Sequence, residues 1–371
     1  MKKILVFGIT ENPGGVESVI MNYYRNINRN NIQFDFLCNT KEVAYEDEIL
    51  KLGGKIFRIT ARSKNYKLYK KEIKEFFKKN SKNYVAIWVN VCSLANIDYL
   101  KMAKKYKIKT RIIHCHNAQN MDSKLRGVLH YINKMFLKRY ATDFWSCSRF
   151  ASEFFYTKKI IKDSKYKIIK NAINLNSYIF NEKTRDEYRK RLNISKDIIV
   201  YGNVGRMHFQ KNQKFLLKIF IEIQKEQKNS LLLLIGDGED RKELEEIVKD
   251  YKLSNNVRFL GVRNDVNKLL QAMDVFIFPS LFEGLPVSLV EAQASSLLVV
   301  ASSDNITKEV QIDKERFIFV SLKENEKNWA RKILELEKKN IKRVNNFELM
   351  SDNGFDILKQ SKELEQFFNR I

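Results

Sequence analysis

The sequence predicts an α/β protein of two doubly wound parallel-sheet domains with a closing C-terminal helix. Three observations support this. Short apolar runs alternate with longer amphipathic segments along the chain. The alternation breaks near Asn171–Asn181 and then restarts. The chain has 371 residues, 44% of them hydrophobic, enough for two domains each with its own core.

In the first half, Lys3–Phe7, Gln33–Cys38, Lys55–Ile59, Tyr84–Val89, Thr110–His114, Phe144–Ser146 and Tyr166–Ile169 read as strands. Helical spacing of apolar residues marks Val16–Asn26, Glu46–Leu52 (closed by Gly53), Tyr66–Lys79, Ser93–Tyr106, Leu125–Arg139 and Ser148–Tyr156. In the second half the expected strands are Ile198–Val204, Ser230–Ile235, Val257–Phe259, Val275–Phe278, Leu298–Ala301 and Arg316–Val320. The helices are Thr184–Leu192, Gln213–Lys225, Arg241–Lys249, Val266–Ala272, Ser288–Ala294, Trp329–Glu337 and Asp356–Arg370. The expected domains are residues 1–177 and 178–354, with 355–371 as a helix returning to the first domain. No internal repeat is visible.

The 68 Lys and Arg against 44 Asp and Glu leave a net charge of +24, which calls for a polyanionic partner. The excess is uneven. Met1–Ser177 holds 35 basic and 14 acidic residues, and Tyr178–Ile371 holds 33 and 30. One half is expected to meet an anionic surface. No helix-turn-helix, zinc or ribonucleoprotein signature accompanies the charge, so nucleic acid is not the expected partner. Cys38, Cys92, Cys115 and Cys147 have no metal-ligand spacing and read as reduced, mostly buried thiols. The N-terminal apolar run is too short for a signal peptide, and no run approaches the ~20 residues of a membrane span. A cytoplasmic, peripheral protein is expected.

With 13 glycines and 3 prolines, the places they occupy are informative. Pro13, Pro279 and Pro286 fall in strand-to-helix loops, as do most glycines of the two sheets' carboxyl edges, where open α/β sheets bind ligands. Ordinary turn chemistry accounts for about half of such glycines. Gly14 and Gly15 precede a helix and could seat a phosphate on its free amides, although neither the dinucleotide nor the P-loop fingerprint is matched. After the strand at 198–204, Gly205, Arg206 and Lys211 lead into a helix. Two cations at a helix N-terminus are electrostatically odd unless an anion sits between them, as a diphosphate would. After Val275–Phe278 comes Glu283-Gly284-Leu285-Pro286-Val287-Ser288-Leu289-Val290-Glu291. Pro286 suits the first turn of the following helix, and Glu291 lies on an otherwise apolar path where it needs hydroxyl or cationic partners.

Taken together, these residues resemble the retaining family-4 glycosyltransferases of GT-B fold, in the branch that assembles capsule and exopolysaccharide. The matching strings are G-G-V-E at Gly14–Glu17, H-C-H-N at His114–Asn117, V-G-R-x-x-x-x-K-N at Val204–Asn212, G-D-G-E at Gly236–Glu239 and E-x7-E at Glu283–Glu291. One stretch departs: Ser296 and Leu298 stand where the family usually carries Gly and Pro.

The resemblance implies two Rossmann-like domains facing a cleft, with the nucleotide-sugar held by the C-terminal one. Arg206 and Lys211 would take the diphosphate, Glu291 the ribose, Glu283 the donor sugar, and the Leu285–Ser288 backbone would assist. Arg263, in the loop Gly261–Asn264, would lie near the base. His116 and Asn117 would stand on the acceptor side, with His116 near the reacting centre. The arginine–lysine pair would replace a metal, and no D-x-D string occurs; no cofactor is expected. The nucleotide would be UDP, with GDP as the alternative. The acceptor would be a saccharide, carried on polyprenyl diphosphate at an anionic membrane surface. Competing readings are a sugar-nucleotide epimerase or phosphorylase-like enzyme of the same fold, a basic nucleic-acid binder, and an inert sugar-binding subunit.

Overall fold

Two parallel sheets organise the chain, which the computed structural model describes over residues 1–119 and 123–371. Interresidue contacts group Met1–Ala172 with Ile357–Ile371 as one unit and Ile173–Asp356 as the other. The first contains β1 (Lys2–Phe7), α1 (Gly15–Asn26), β2 (Ile32–Cys38), α2 (Glu46–Lys51), β3 (Ile56–Arg58), α3 (Tyr66–Asn80), β4 (Ala86–Val91) and α4 (Asp98–Lys105). It continues with β5 (Thr110–Cys115), α5 (Lys124–Phe136), β6 (Asp143–Ser146), α6 (Arg149–Phe155), α7 (Lys158–Ile161) and β7 (Tyr166–Ile168). The second contains α8 (Glu182–Arg191), β8 (Ile199–Val204), α9 (Gln213–Glu226), β9 (Ser230–Ile235), α10 (Arg241–Asp250), β10 (Val257–Phe259), α11 (Val266–Ala272), β11 (Val275–Phe278) and α12 (Val287–Ala294). It ends with β12 (Leu298–Ser302), β13 (Phe317–Val320), α13 (Glu326–Lys338) and α14 (Phe347–Asp352). The last helix, α15 (Ile357–Asn369), belongs to the first unit.

The strand orders are β3-β2-β1-β4-β5-β6-β7 and β10-β9-β8-β11-β12-β13, and neighbouring strands run parallel. In each sheet the crossovers therefore reverse direction at one point, between β1 and β4 and between β8 and β11. Central strands covered on both faces must be apolar throughout, and Ser230–Ile235 is buried at every residue. Helices bury one stripe: α3 turns Tyr69, Ile73, Phe76 and Phe77 inward, while Asn65 caps it by accepting from the Leu68 amide at 3.0 Å. Trp329 of α13, fully buried, packs edge-on to Phe215, and its truncation to Ala should cost about 3–5 kcal/mol.

The chain divides at 172/173 and 356/357, a few residues from the expected limits. Ile173 and Asp356 form a parallel bridge, so the two connections leave the second unit side by side. α15 is fastened to the first unit through its apolar face. Phe368 meets Phe34 and Phe367 meets Trp145, at 5.9 and 5.0 Å between ring centres. Lys2 Nζ donates to the carbonyls of Phe368, Asn369 and Ile371, a basic cap on the helix's negative end.

Two local expectations need correction. The helix expected over Ser93–Tyr106 is only α4, because Ser93 Oγ and Asn96 Oδ1 accept from the Ala95 and Asp98 amides and hold residues 93–97 as a loop. Pro286 caps α12 one residue ahead of its first turn. Ser296, at the family's glycine position, takes the left-handed conformation (φ 55°) that closes α12, and its hydroxyl compensates by accepting from Val344 N at 2.9 Å. Among the described residues no helix is long and apolar enough to cross a membrane.

Candidate active site

The loops singled out by glycine and charge in the second unit follow β8 and β11, the two strands at which the crossovers reverse. Gly205 makes room for Lys211: a Cβ there would lie 3.2 Å from the lysine Cε. Lys211 Nζ reaches Glu283 Oε1 at 2.7 Å and stands 4.9 Å from the centre of the Phe278 ring. The two loops are stitched by main-chain groups. Leu281 N donates to Gln210 O at 2.8 Å, Gln210 Nε2 to Phe282 O at 2.9 Å, and Asn212 Nδ2 to Pro279 O at 3.1 Å. Asn212 has φ 55°, a left-handed turn that asparagine tolerates and that starts α9 directly after Lys211.

Arg206 is handled differently. Its side chain is 59% exposed and lies 3.1 Å from Glu239, which also approaches His208 Nε2 at 3.4 Å. The Glu239 carboxyl is held below its usual range, first by its own backbone amide and then, against some burial, by Arg206 and His208. Gly236 and Gly238 bring this loop in: Cβ atoms there would lie 2.1 Å from Gly205 O and 2.2 Å from Met207 O. Those glycines thus serve loop packing. Both cations have a carboxylate partner supplied from another loop, which sequence spacing did not reveal. Glu239 was legible only as part of G-D-G-E.

The remaining acidic residue, Glu291, lies on the fifth position of α12 and accepts from the Tyr178 hydroxyl at 2.7 Å. Burial pushes its carboxyl upward and Tyr178 opposes that. Tyr178 is 113 residues away and carried no sequence signal. Gly284, Leu285 and Pro286 are buried, while Val287 and Ser288 are half-buried at the helix start. Arg263 forms a two-pronged pair with Asp265 at 2.7 and 2.8 Å.

In the first unit, α1 begins beside the β1 end. Glu17 folds back over that start, accepting from Thr10 N at 3.2 Å and Thr10 Oγ1 at 2.6 Å, and a Cβ on Gly14 would lie 2.8 Å from its Oε2. The carboxylate thus lies where the sequence suggested a phosphate seat; a Cβ on Gly15 would meet nothing within 4 Å. Burial raises the Glu17 carboxyl, against hydrogen bonds led by Thr10.

His116 follows β5 and is buried. Its Nε2 lies 2.9 Å from Asn90 Oδ1, while Asn90 Nδ2 donates to Phe7 O at 3.2 Å. That amide orientation makes Nε2 the protonated nitrogen and leaves Nδ1 as an acceptor with no partner among the described residues. Burial pulls the His116 imidazole down to about 3, so it is neutral. Asn117 Oδ1 accepts from Ala118 N at 2.9 Å, and its buried Nδ2 has no partner among the described residues. His114 lies one side-chain layer behind, its ring 4.1 Å from that of His116 and 5.9 Å from Trp88. Gly8 (φ 136°) admits this arrangement, since a Cβ would lie 2.7 Å from Asn90 Cβ.

Among the described residues no three His, Cys, Asp or Glu side chains gather as a metal site. Burial raises the thiols of Cys38 and Cys115 to about 12 and raises Cys147 as well, so none is a ready nucleophile.

Two parallel sheets, the second with cation–carboxylate pairs in the loops at its switch point, have the architecture of an α/β protein that takes an anionic ligand at the sheet edge. A profile of the family described as "Glycosyl transferases group 1" matches residues 184–348. The chain is 32% identical over 327 residues to the putative glycosyltransferase EpsF of Bacillus subtilis (strain 168), spanning 87% of this chain and 84% of that one. It is 31% identical over 144 residues to the Escherichia coli UDP-Gal:alpha-D-GlcNAc-diphosphoundecaprenol alpha-1,3-galactosyltransferase, covering 38% of this chain and 37% of that one. Its backbone matches Anabaena Alr3699/HepE, solved in complex with UDP and glucose, with a TM-score of 0.82 over the whole of both chains at 17% identity. The chain belongs to the group 1 glycosyltransferases and has the GT-B fold.

Proposed function

We propose that this glycosyltransferase is a retaining, metal-independent enzyme of family 4. It moves a hexose or N-acetylhexosamine from a UDP-sugar to a saccharide carried on polyprenyl diphosphate, in cell-surface polysaccharide synthesis on the cytoplasmic face of the membrane. The observation that carries the reading is the Lys211–Glu283 pair at the β8/β11 switch point. It offers a cation for a leaving phosphate and a carboxylate for sugar hydroxyls in one place. The E. coli relative, whose name gives a UDP-sugar donor and a diphosphoundecaprenol acceptor, supports the choice of substrates.

In this reading the acceptor hydroxyl attacks the anomeric carbon on the face from which UDP leaves. The carbon–oxygen bond to the β-phosphate breaks as the new one forms, and the hydroxyl proton passes to the departing phosphate. No carboxylate nucleophile is needed. Lys211 and Arg206 meet the charge that develops on the diphosphate, Glu283 orients the sugar, and Glu291 accepts from the ribose. Gly284–Ser288 supplies amides and Arg263 borders the base. On the acceptor side, neutral His116 and Asn117 bring one acceptor and one donor without partners among the described residues, the complement of a hydroxyl.

The test is transfer from a panel of UDP-sugars to a synthetic polyprenyl-diphosphate saccharide in EDTA, with the product anomer read by NMR. Expected is transfer in EDTA with the donor's α configuration kept. Inversion, or activity abolished by EDTA and restored by Mg²⁺ or Mn²⁺, would reject the mechanism. Turnover of UDP-sugar without acceptor would favour an epimerase.

A further inference from the structure

Helix α5 is built inside out. Its spacing places Leu125, Val128, Ile132 and Met135 on one face, with Tyr131 and Phe136 at its margins. In an ordinary surface helix that stripe would face the core. Here all six side chains are exposed, between 50% for Ile132 and 69% for Leu125 and Tyr131.

The polar residues hold the helix in place instead. His130, 1% exposed, accepts at Nδ1 from Leu94 N at 3.1 Å and stacks on Phe154 at 4.1 Å. Asn133 Nδ2 donates to Leu94 O at 2.7 Å, and Lys134 Nζ donates to the carbonyls of Glu153 and Phe154 at 2.8 and 2.7 Å. These bonds fix the rotation of the helix, so the apolar stripe cannot turn inward without leaving buried groups unpaired. An exposed apolar patch of this size marks a contact surface.

We propose that this face of α5 inserts into the interfacial region of an anionic bilayer. Charge selects that occupant. From Ser123 to Thr142 the chain carries Lys124, Arg126, Lys134, Lys138 and Arg139 and no Asp or Glu; Lys138 is paired with Asp163 at 2.5 Å, and the other four set the sign of this surface. A second copy would bring the same cations, and its own net +24, against them. Anionic lipid answers the cations with headgroups and the stripe with acyl chains, the pairing that interfacial amphipathic helices use. The idea rests on the membrane-facing reading above for its choice of surface, and it adds the element that enters and an apolar, salt-resistant component.

The experiment is flotation of the full chain with vesicles of phosphatidylglycerol and phosphatidylcholine, or phosphatidylcholine alone, with no sugar nucleotide present. Failure of the transferase reading would therefore leave its outcome untouched. The triple variant Leu125→Ser, Ile132→Ser, Met135→Ser is compared with the parent, and its fold is checked by thermal melting. Since Trp88, Trp145 and Trp329 are fully buried, a Tyr131→Trp variant supplies a separate optical report. Expected are stronger flotation on anionic vesicles, a fraction that survives high salt, a blue shift in the emission of the introduced indole, and at least about tenfold weaker partition of the folded triple variant. Equal partition by parent and triple variant, or no blue shift on bound vesicles, would overturn insertion. Self-association in sedimentation that the triple variant abolishes, without flotation of the parent, would overturn it too and assign the face to a second copy.

Discussion

Lys211 and Glu283 form an ion pair of 2.7 Å between the loops that follow β8 and β11, with side chains only 19% and 10% exposed. The two side chains are paired with each other, so in the proposed binding mode an incoming diphosphate draws the ammonium away from Glu283. Lys211→Ala should lower kcat/KM by roughly 10²–10³, the scale of lost charge stabilisation in the transition state. It should also destabilise the fold by about 1–3 kcal/mol, because Glu283 is left buried without its partner. Steady-state kinetics and denaturant melts check the two parts.

Arg206 separates those effects. Its pair with Glu239 is solvent-exposed and contributes little to stability. Arg206→Ala should therefore lose a similar factor of about 10²–10³ in kcat/KM while unfolding within about 0.5 kcal/mol of the parent. A large stability loss with normal turnover would reverse its assignment.

The Tyr178–Glu291 contact predicts a pH effect. Burial raises the Glu291 carboxyl and the Tyr178 hydroxyl restrains that rise. In the proposed binding mode ionised Glu291 accepts from ribose, so donor affinity should fall as the solution is acidified through the raised value. Tyr178→Phe removes the restraint and should move the acid limb of kcat/KM to higher pH. An unchanged limb would separate Glu291 from donor binding.

His116 should not titrate in the physiological range. Its folded value of about 3 lies below the ordinary ~6.5 of imidazole, so the unfolded chain binds the proton first and stability falls as pH drops below that ordinary value. Asn90→Asp places a carboxylate 26 residues upstream at the same nitrogen and should raise the His116 value. NMR titration of the imidazole in both proteins reads this directly.

Glu337 of α13 provides a pure stability test. Burial beside Tyr201 raises its carboxyl to about 7, with the Tyr201 hydroxyl opposing and Asp274 adding to the rise. The folded state then holds a proton that the unfolded state releases, so stability falls as pH climbs from the ordinary ~4.5 toward 7. Glu337→Gln should remove that slope and gain up to about 3 kcal/mol at pH 8, with little change at pH 4. Denaturant melts at the two pH values read the difference.

Much of the fold was legible because strand–helix alternation is a local property. The switch-point loops were legible because glycine, proline and charge collect there. Contacts made by tertiary approach were not. Glu239 reaches Arg206 and Tyr178 reaches Glu291 through chain separations of 33 and 113 residues, with no spacing rule to announce them. Helix α5 shows a different limit. Apolar periodicity tells which side chains share a face but not which way that face points. The inward hydrogen bonds of His130, Asn133 and Lys134 decide that.

The central claim is that the second unit binds a nucleoside-diphosphate sugar through Lys211. Titration calorimetry of UDP into the full chain and into Lys211→Ala tests it most directly. Saturable binding to the parent is expected, and at least about tenfold weaker binding to the variant, a difference of about 1.4 kcal/mol. Equal affinity in the two proteins would contradict it.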